Sequence, residues 1–459
     1  MKFKKSITFF ACLCMTGGIL SGCGTKETNN ANGTDTITIW SVNSHSKDTY
    51  ERLINDFNKT TGKEKGIKID YLIKEGSSIV QSLEVALQNG TAPDMFTSGN
   101  LKKLSPNGDV LALEDLPGGT EFIEKYKDVL IEEMHTYRGK TYAVPTGATT
   151  QGLIYNKEMF RKAGIVDENG EAKPPETFDE MVEVAKKLTN PENKEYGIIL
   201  PMKWDGWVTS DIRSVMMSAA GHCGFNPATG TYDFSSYAPV INAYLQMKKD
   251  GSIYPGAEGI DNDPARALFA TGNIGMKMGF SFDVGVLNDQ FPTKIDWGVA
   301  PYPVLDKDNC YLQQMSLDAS FYINAKATEH TTPEKIMEVI KFFTSDNFAR
   351  EAYKDGVSIP YDWNIVKDVK LDNPKKGWED FCRMVDISHN YILEPPVDMS
   401  GIRKFEDRVI EDVWSGKVTA EDLTADYTKQ MNELLEKYKA DPSNEPLENF
   451  IIRDWNIKR

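Results

Sequence analysis

At 459 residues, with 40% hydrophobic and 26% charged side chains, the chain has the make-up of a folded protein too long for one ordinary core. Its formal charge of −16 is unbroken by any basic cluster, which argues against a nucleic-acid partner. Two lobes are the natural expectation.

The chain begins with Lys2, Lys4 and Lys5, followed by a mostly apolar run over residues 7–20 that is too short for a comfortable membrane span. That run enters Leu20-Ser21-Gly22-Cys23, which resembles a bacterial lipobox, a motif whose cysteine thiol receives a diacylglycerol after cleavage. Residues 1–22 are therefore expected to be a lipoprotein signal and Cys23 the lipidated residue. Residues 23–34 are a polar tether reaching roughly 35 Å when extended. This arrangement places the protein at the outer face of a bacterial cell membrane. Cys223, Cys310 and Cys382 remain beyond it. They allow at most one disulfide, show no metal-ligand spacing, and are expected to be buried free thiols.

Residues 36–40 (T-I-T-I-W) alternate as a strand does. Residues 47–60 carry Tyr50, Leu53, Ile54 and Phe57 on one helical face. A second strand over 67–73, a second helix over 78–89 and Met95-Phe96 continue the alternation, which is that of βαβ units around a parallel sheet. In such sheets ligands sit beyond the carboxyl ends of the strands. Those ends are Asn43-Ser44-His45 and Ser98-Gly99-Asn100. Val144-Pro145 and Gly147 then interrupt the chain before the apolar run Leu153-Ile154-Tyr155, as if it left one body and entered another. Thr177 and Glu180 have capping-box spacing ahead of a helix with Phe178, Met181, Val182, Ala185 and Leu188 on its apolar face. Further helices are predicted over 212–220, 239–249, from Asp263-Pro264 to 270, from Thr332-Pro333, from Ser345, and from Thr419. Strands are predicted over 196–200, 274–278 and 320–323, and Trp297-Gly298-Val299-Ala300-Pro301 ends in a Pro-rich link.

No G-x-S-x-G elbow, H-E-x-x-H, Walker loop or complete calcium loop occurs, and the five histidines are scattered without metal spacing. No cofactor or metal is expected. The carboxylates are abundant, so a glycosidase pair is left unsupported rather than excluded by counting. Aromatic and polar side chains gather instead at strand ends: Trp204, Asp205 and Trp207 in one loop, then Phe280, Ser281, Phe282 and Asp283 in another. A sugar needs such a mixture, a flat apolar surface for its C–H face and planar polar groups for its hydroxyls.

These residues resemble the extracellular solute-binding proteins of carbohydrate ABC importers, the group that includes maltose-binding protein. The resemblance is carried by the lipobox, A-P-D-M-F at 92–96, L-I-Y-N-K-E-M-F at 153–160 and P-x-T-F-D-E-M at 175–181. It continues in F-A-T-G-N-I-G-M at 269–276, G-V-A-P-Y-P at 298–303 and F-F-T-S-D-N-F-A-R at 342–350. The resemblance implies an α/β, two-lobed periplasmic-binding-protein-like fold, each lobe a mostly parallel sheet flanked by helices, with a hinge between them. It divides the chain into residues 35–143 plus 305–357 and residues 144–304 plus 358–459. It implies ligand contacts from Asn43, Ser44, Ser98 and Asn100 in the first lobe, and from Thr149 and Gln151 at the crossing. From the second lobe it implies Trp204, Asp205, Trp207, Phe282 and Asp283, and it adds Asp318 and Arg403. The chain departs from the family where Gly-x-Trp is common, having Gly279-Phe280-Ser281-Phe282, which leaves the stacking residue open by two positions.

The implied function is a monomeric, lipid-anchored, non-enzymatic receptor that presents a sugar or oligosaccharide to a membrane permease. Two other classes compete: a secreted hydrolase using a carboxylate pair, and a lipid-anchored adhesin. Within the binding class, a polyol phosphate or an oxidised metal is the alternative ligand. A phosphate site would want clustered cations at the strand ends, where only Lys203 and Arg403 are near.

Overall fold

The computed structural model describes residues 33–74, 79–390 and 392–459. The signal, Cys23 and most of the predicted tether lie outside the described residues.

Two sheets form the bodies of the two lobes, and a third sheet joins them. In the first lobe the strand order is Ile67–Ile73, Asp35–Ser41, Met95–Phe96, Tyr322–Asn324, Val110–Leu111. The first three strands are parallel, as the βαβ alternation predicts, and Tyr322–Asn324 runs against its two neighbours. Helix Lys47–Lys59 covers this sheet with Tyr50, Leu53, Ile54 and Phe57, all buried. They meet Ile336, Val339, Ile340 and Phe343 of helix Pro333–Phe343, a segment the chain contributes only after returning from the second lobe.

The second-lobe sheet has the order Trp297–Ala300, Gln151–Asn156, Ile274–Phe280, Tyr196–Ile198. Here the expectation of a mostly parallel sheet is corrected. Gln151–Asn156 runs antiparallel to both neighbours, and only Ile274–Phe280 with Tyr196–Ile198 is parallel. The reason is topological, since Gln151–Asn156 brings the chain into this lobe from the crossing while its neighbours run back towards it. All six of its residues are buried, so helices cover both faces of the sheet. Helix Phe178–Leu188 lies on one face. Thr177 Oγ1 accepts from the Glu180 N–H at 3.2 Å, and the Glu180 carboxylate accepts from the Glu176 N–H at 2.8 Å, one residue earlier than in a standard capping box. Asp261 rather than Asp263 caps helix Asn262–Ala270. The C-terminal helix Ala420–Ala440 belongs to this lobe, with Leu423, Tyr427 and Leu435 in its core. Cys223, Cys310 and Cys382 are unpaired thiols, but only Cys382 is buried as expected; Cys223 and Cys310 are half-buried.

The joining sheet has the order Ile359–Pro360, Pro145–Thr149, Gln313–Ala319, Ser388–Asn390. Pro145–Thr149 is antiparallel to Ile359–Pro360 and to Gln313–Ala319, and the latter is parallel to Ser388–Asn390. The chain passes between lobes three times in this sheet. Beneath it, Ala148, Ile154, Ile359, Trp378 and Phe381 form one apolar cluster, and Thr150 Oγ1 donates to the Phe381 carbonyl at 2.8 Å.

Phe381 is completely buried, so Phe381→Ala is expected to cost about 3–5 kcal/mol through lost burial and a residual cavity. Thr177→Ala removes a cap only and is expected to cost about 1 kcal/mol. Urea denaturation of the mature chain checks both.

Candidate functional site

A cavity of about 580 Å³ opens where the first-lobe strand ends meet the joining sheet, within the roughly 300–1,000 Å³ usual for ligand sites. Asn43 and His45 line it after the first strand, and Thr97 and Ser98 after the third. Tyr50 and Tyr322 add aromatic surface, and Ser316, Asp318, Thr149 and Ser358 form the joining-sheet wall. From the second lobe Phe282 closes the space, its ring centroid 5.7 Å from that of His45.

Asp318 sits where the crossing strands lose register. Ser316 pairs with Thr149 and Leu317 with Ala148, but Ala319 pairs with Pro145, so Thr146 and Gly147 together oppose Asp318. The extra residue lies on Pro145–Thr149, so the bulge bends the strand facing Asp318, while Asp318 keeps the face it shares with Ser316. Gly147 makes the approach possible: a Cβ there would stand 2.4 Å from Ser358 Oγ and 3.3 Å from Asp318 Oδ2. Thr149 Oγ1 donates to Asp318 Oδ1 over a long 3.4 Å. Behind the strand, His135 Nδ1 accepts from the Ile131 N–H at 3.0 Å, leaving Nε2–H to donate to the Asp318 carbonyl at 3.3 Å. Burial keeps this histidine neutral, lowering its pKa to about 4. The crowded walls of the cleft push the Asp318 carboxyl up to about 6. Its side chain is nevertheless open to the water in the cleft, and that hydration works against the rise.

Phe282 is presented by a built loop. Phe280 and Phe282 stack at 5.1 Å with an interplanar angle of 12°, and Trp204 meets Phe280 edge-on at 6.5 Å. The Arg266 guanidinium lies over Phe282 at 5.4 Å. Beneath them Asp283 is 1% exposed. Its Oδ1 accepts from Arg266 Nε at 2.6 Å, its Oδ2 accepts from the Phe280 N–H at 3.0 Å, and Lys277 Nζ is 3.9 Å away.

Of the residues expected at a ligand, the structure brings Asn43, Ser98, Thr149, Phe282 and Asp318 to one cavity. The others lie elsewhere. Ser44 is exposed at the start of a short turn, and Asn100 is exposed ahead of helix Leu101–Leu104; neither lines the cavity. Gln151 is buried, with Nε2 3.4 Å from Ser214 Oγ and its carbonyl accepting from Gln313 Nε2. Trp207 is fully buried between Tyr244 and Trp414, because the loop after Leu200 folds straight back into the core. Asp283 has its carboxylate engaged by Arg266, Lys277 and the Phe280 N–H, so it supports the loop rather than facing the cavity. Trp204 is half-buried and Asp205 exposed. Arg403 is exposed and paired with Asp412 and Glu411.

His45, Tyr50, Thr97, Ser316, Tyr322 and Ser358 line the cavity without having been singled out as contacts. His45 and Thr97 adjoin predicted strand ends, and Ser316 shares a strand face with Asp318 at spacing two. Tyr50 and Tyr322 look like core residues in sequence and are in fact mostly buried. Among the described residues no group of three or more His, Cys, Asp or Glu is placed to hold a metal.

A model of the bacterial extracellular solute-binding proteins matches residues 43–349. The chain belongs to that family. It is 26% identical over 243 residues to the maltotriose-binding protein of Pyrococcus abyssi, across 52% of this chain and 48% of that one. It is 22% identical over 312 residues to the melibiose/raffinose/stachyose-binding protein MelE of Bacillus subtilis, across 65% and 68%. The match spans about half the length of the first of these relatives. The fold is shared with the substrate-binding protein Lmo0181 of Listeria monocytogenes, solved with cycloalternan, at a TM-score of 0.65 and 17% identity over 88% of this chain and 99% of that one. It is shared equally with the GacH receptor of Streptomyces glaucescens, at a TM-score of 0.66 and 17% identity over 88% and 100%.

Gly147→Ala is expected to destabilise the protein by about 1–3 kcal/mol, because the new methyl meets Ser358 and the bulge at once. Adding Ser358→Gly should return part of that loss. A double-mutant cycle in thermal unfolding measures the coupling, and independent, additive effects would contradict the packing described.

Proposed function

We propose that this solute-binding protein captures a sugar or oligosaccharide between its lobes and delivers it to an ABC-type membrane permease. The observation that carries the reading is the composition of the cavity. Short polar side chains from the first lobe and the joining sheet face one aromatic ring, Phe282, from the second. A ring can cover the C–H face of a pyranose while Asn43, Ser98, Asp318 and Ser358 take its hydroxyls. The sugars named for the Pyrococcus and Bacillus relatives support the same class of ligand.

The residues that would contact ligand are Asn43, Ser98, Thr149, Asp318 and Phe282, with Tyr50, Ser316, Tyr322 and Ser358 added. Trp204 would contribute through Phe280, and Asp283 by holding the loop. A second hollow of about 310 Å³ lies between Lys102, Glu132 and Glu133 of the first lobe and Tyr232, Phe234 and Pro395 of the second. The loop that carries Met134 on the first cavity carries Glu132 and Glu133 on this one, which favours a ligand of more than one sugar unit.

The lobe division is residues 35–143 with 305–357 and residues 144–304 with 358–459. The strand memberships above support it, with Gln313–Ala319 serving as a crossing. Cys23 would hold the protein to the outer membrane face as a monomer. Closure around the ligand would then select the loaded form for the permease, a shift of population rather than a chemical step.

Isothermal titration of the mature chain against mono- to tetrasaccharides tests the reading. Binding should occur with compaction in small-angle scattering, and Phe282→Ala should weaken it about 10-fold or more at an unchanged unfolding midpoint. Trp207→Ala should instead unfold the second lobe, with a loss of about 3–5 kcal/mol. Absence of heat and of compaction across the panel would remove the sugar reading. Cys23→Ala should release the protein from membranes.

A further inference from the structure

The charge of the cleft is one-sided. Its lining contains one carboxylate, Asp318, and no lysine or arginine among the described residues. The cation nearest the second-lobe wall, Arg266, stands behind Phe282 and is held by Asp263 at 2.7 Å and Asp283 at 2.6 Å. Two histidines bear on the site. His45 lines the cavity, while His135 is buried, neutral and turned to the Asp318 main chain. Tyr50 and Tyr322 are the remaining titratable groups on the wall, and burial raises both phenols far from neutral pH.

Asp318 is also underused. A carboxylate has about four acceptor positions, and the side chain has one long contact, from Thr149 Oγ1 at 3.4 Å. It lies on the strand face that lines the cavity, beside the bare Cα of Gly147, and is open to the water there. Its remaining acceptor positions can be filled by a ligand that donates: a pair of hydroxyls or, better, a protonated amine. The aromatic surfaces of Tyr50, Tyr322 and Phe282 favour a cation too. A carboxylated or phosphorylated ligand would find no counter-charge in the lining, and a like charge within a few ångströms.

We propose that Asp318 makes the cleft selective for charge, so that it accepts neutral and amino-bearing sugars and turns away carboxylated and phosphorylated ones. This rests on the reading of the cleft as a sugar site. It bears directly on ligand class, since the chain is also 23% identical over 322 residues to the sn-glycerol-3-phosphate-binding protein UgpB of Escherichia coli.

The test uses the mature protein and a panel of mono- to trisaccharides in which each neutral member is paired with its 2-amino-2-deoxy, 6-carboxylate and 6-phosphate derivatives. At pH 7.5 the anionic derivatives should bind about 10-fold or more weakly than their neutral parents, and the amino derivatives as tightly or more tightly. Asp318→Asn keeps the shape and removes the charge, so it should bring the anionic and neutral affinities together. In the wild type the ratio for the 6-carboxylate members should narrow as the pH falls below about 6, since burial raises the Asp318 carboxyl and hydration in the cleft limits that rise. The 6-phosphate members are left out of this comparison because the ligand itself takes up a proton at about pH 6. His45 also lines the wall, where burial and the nearby Arg266 lower its imidazole to about 4. Repeating the titration in His45→Gln should keep the narrowing and so separates any part it plays. Anionic sugars that bind the wild type as tightly as their parents overturn the proposal. So does discrimination that survives Asp318→Asn unchanged. If neutral sugars bind and charge makes no difference, only this inference fails; if no sugar binds, the sugar reading fails with it.

Discussion

The arrangement depends on one imperfect pairing, that of Pro145–Thr149 with Gln313–Ala319. Ser316 and Asp318 stand two apart on Gln313–Ala319 and share the face that lines the cavity. The slip puts the extra residue on the facing strand, where Thr146 and Gly147 together oppose Asp318. Gly147 is the condition for the slip, because any side chain there would strike Ser358 and the aspartate together. The ladder that joins the lobes thus also carries the polar floor of the site, and His135 holds that floor from behind.

The opposite wall follows a different logic. Phe282 lies in a loop that has no long element of its own, and its position is set by the buried carboxylate of Asp283. Burying Asp283 with Arg266 and Lys277 costs desolvation that their attraction recovers only when the geometry is good, so the cluster is weak evidence for added stability. Its contribution is one of placement. The Phe280 N–H, the Arg266 guanidinium above the ring and the Phe280–Phe282 stack all converge on one orientation of one aromatic face. The aspartate in this motif acts through the phenylalanine beside it.

Much of the first lobe was legible because its elements are local. Tyr50, Leu53, Ile54 and Phe57 repeat at helical spacing, and the strands that follow end in short polar residues. Asn43 and Ser98 could be placed on that basis alone. The crossing into the joining sheet was legible through Val144-Pro145 and Gly147, and the places of Asp318 and Phe282 on the cavity through family order. What sequence could not carry was direction. Trp207 stands in a Gly- and Asp-rich loop that reads as surface, yet the chain turns inward and buries it against Tyr244 and Trp414. Gln151 begins a strand whose two faces are both covered, which no period-two pattern reveals. Tyr50 and Tyr322 belong to the core by burial and to the cavity by their edges, a double membership that depends on long-range packing.

Four strand segments lie side by side in the joining sheet, and this fixes what the junction can do mechanically. A narrow ribbon of strands flexes readily out of its own plane and strongly resists shearing within it, because in-plane sliding would break the backbone hydrogen bonds between neighbours. If the lobes close on a ligand as proposed, their motion would thereby be reduced to a bend about an axis lying in the ribbon, across its strands. A single-stranded tether would leave the Phe282 ring free to arrive anywhere; the ribbon would return it to one place.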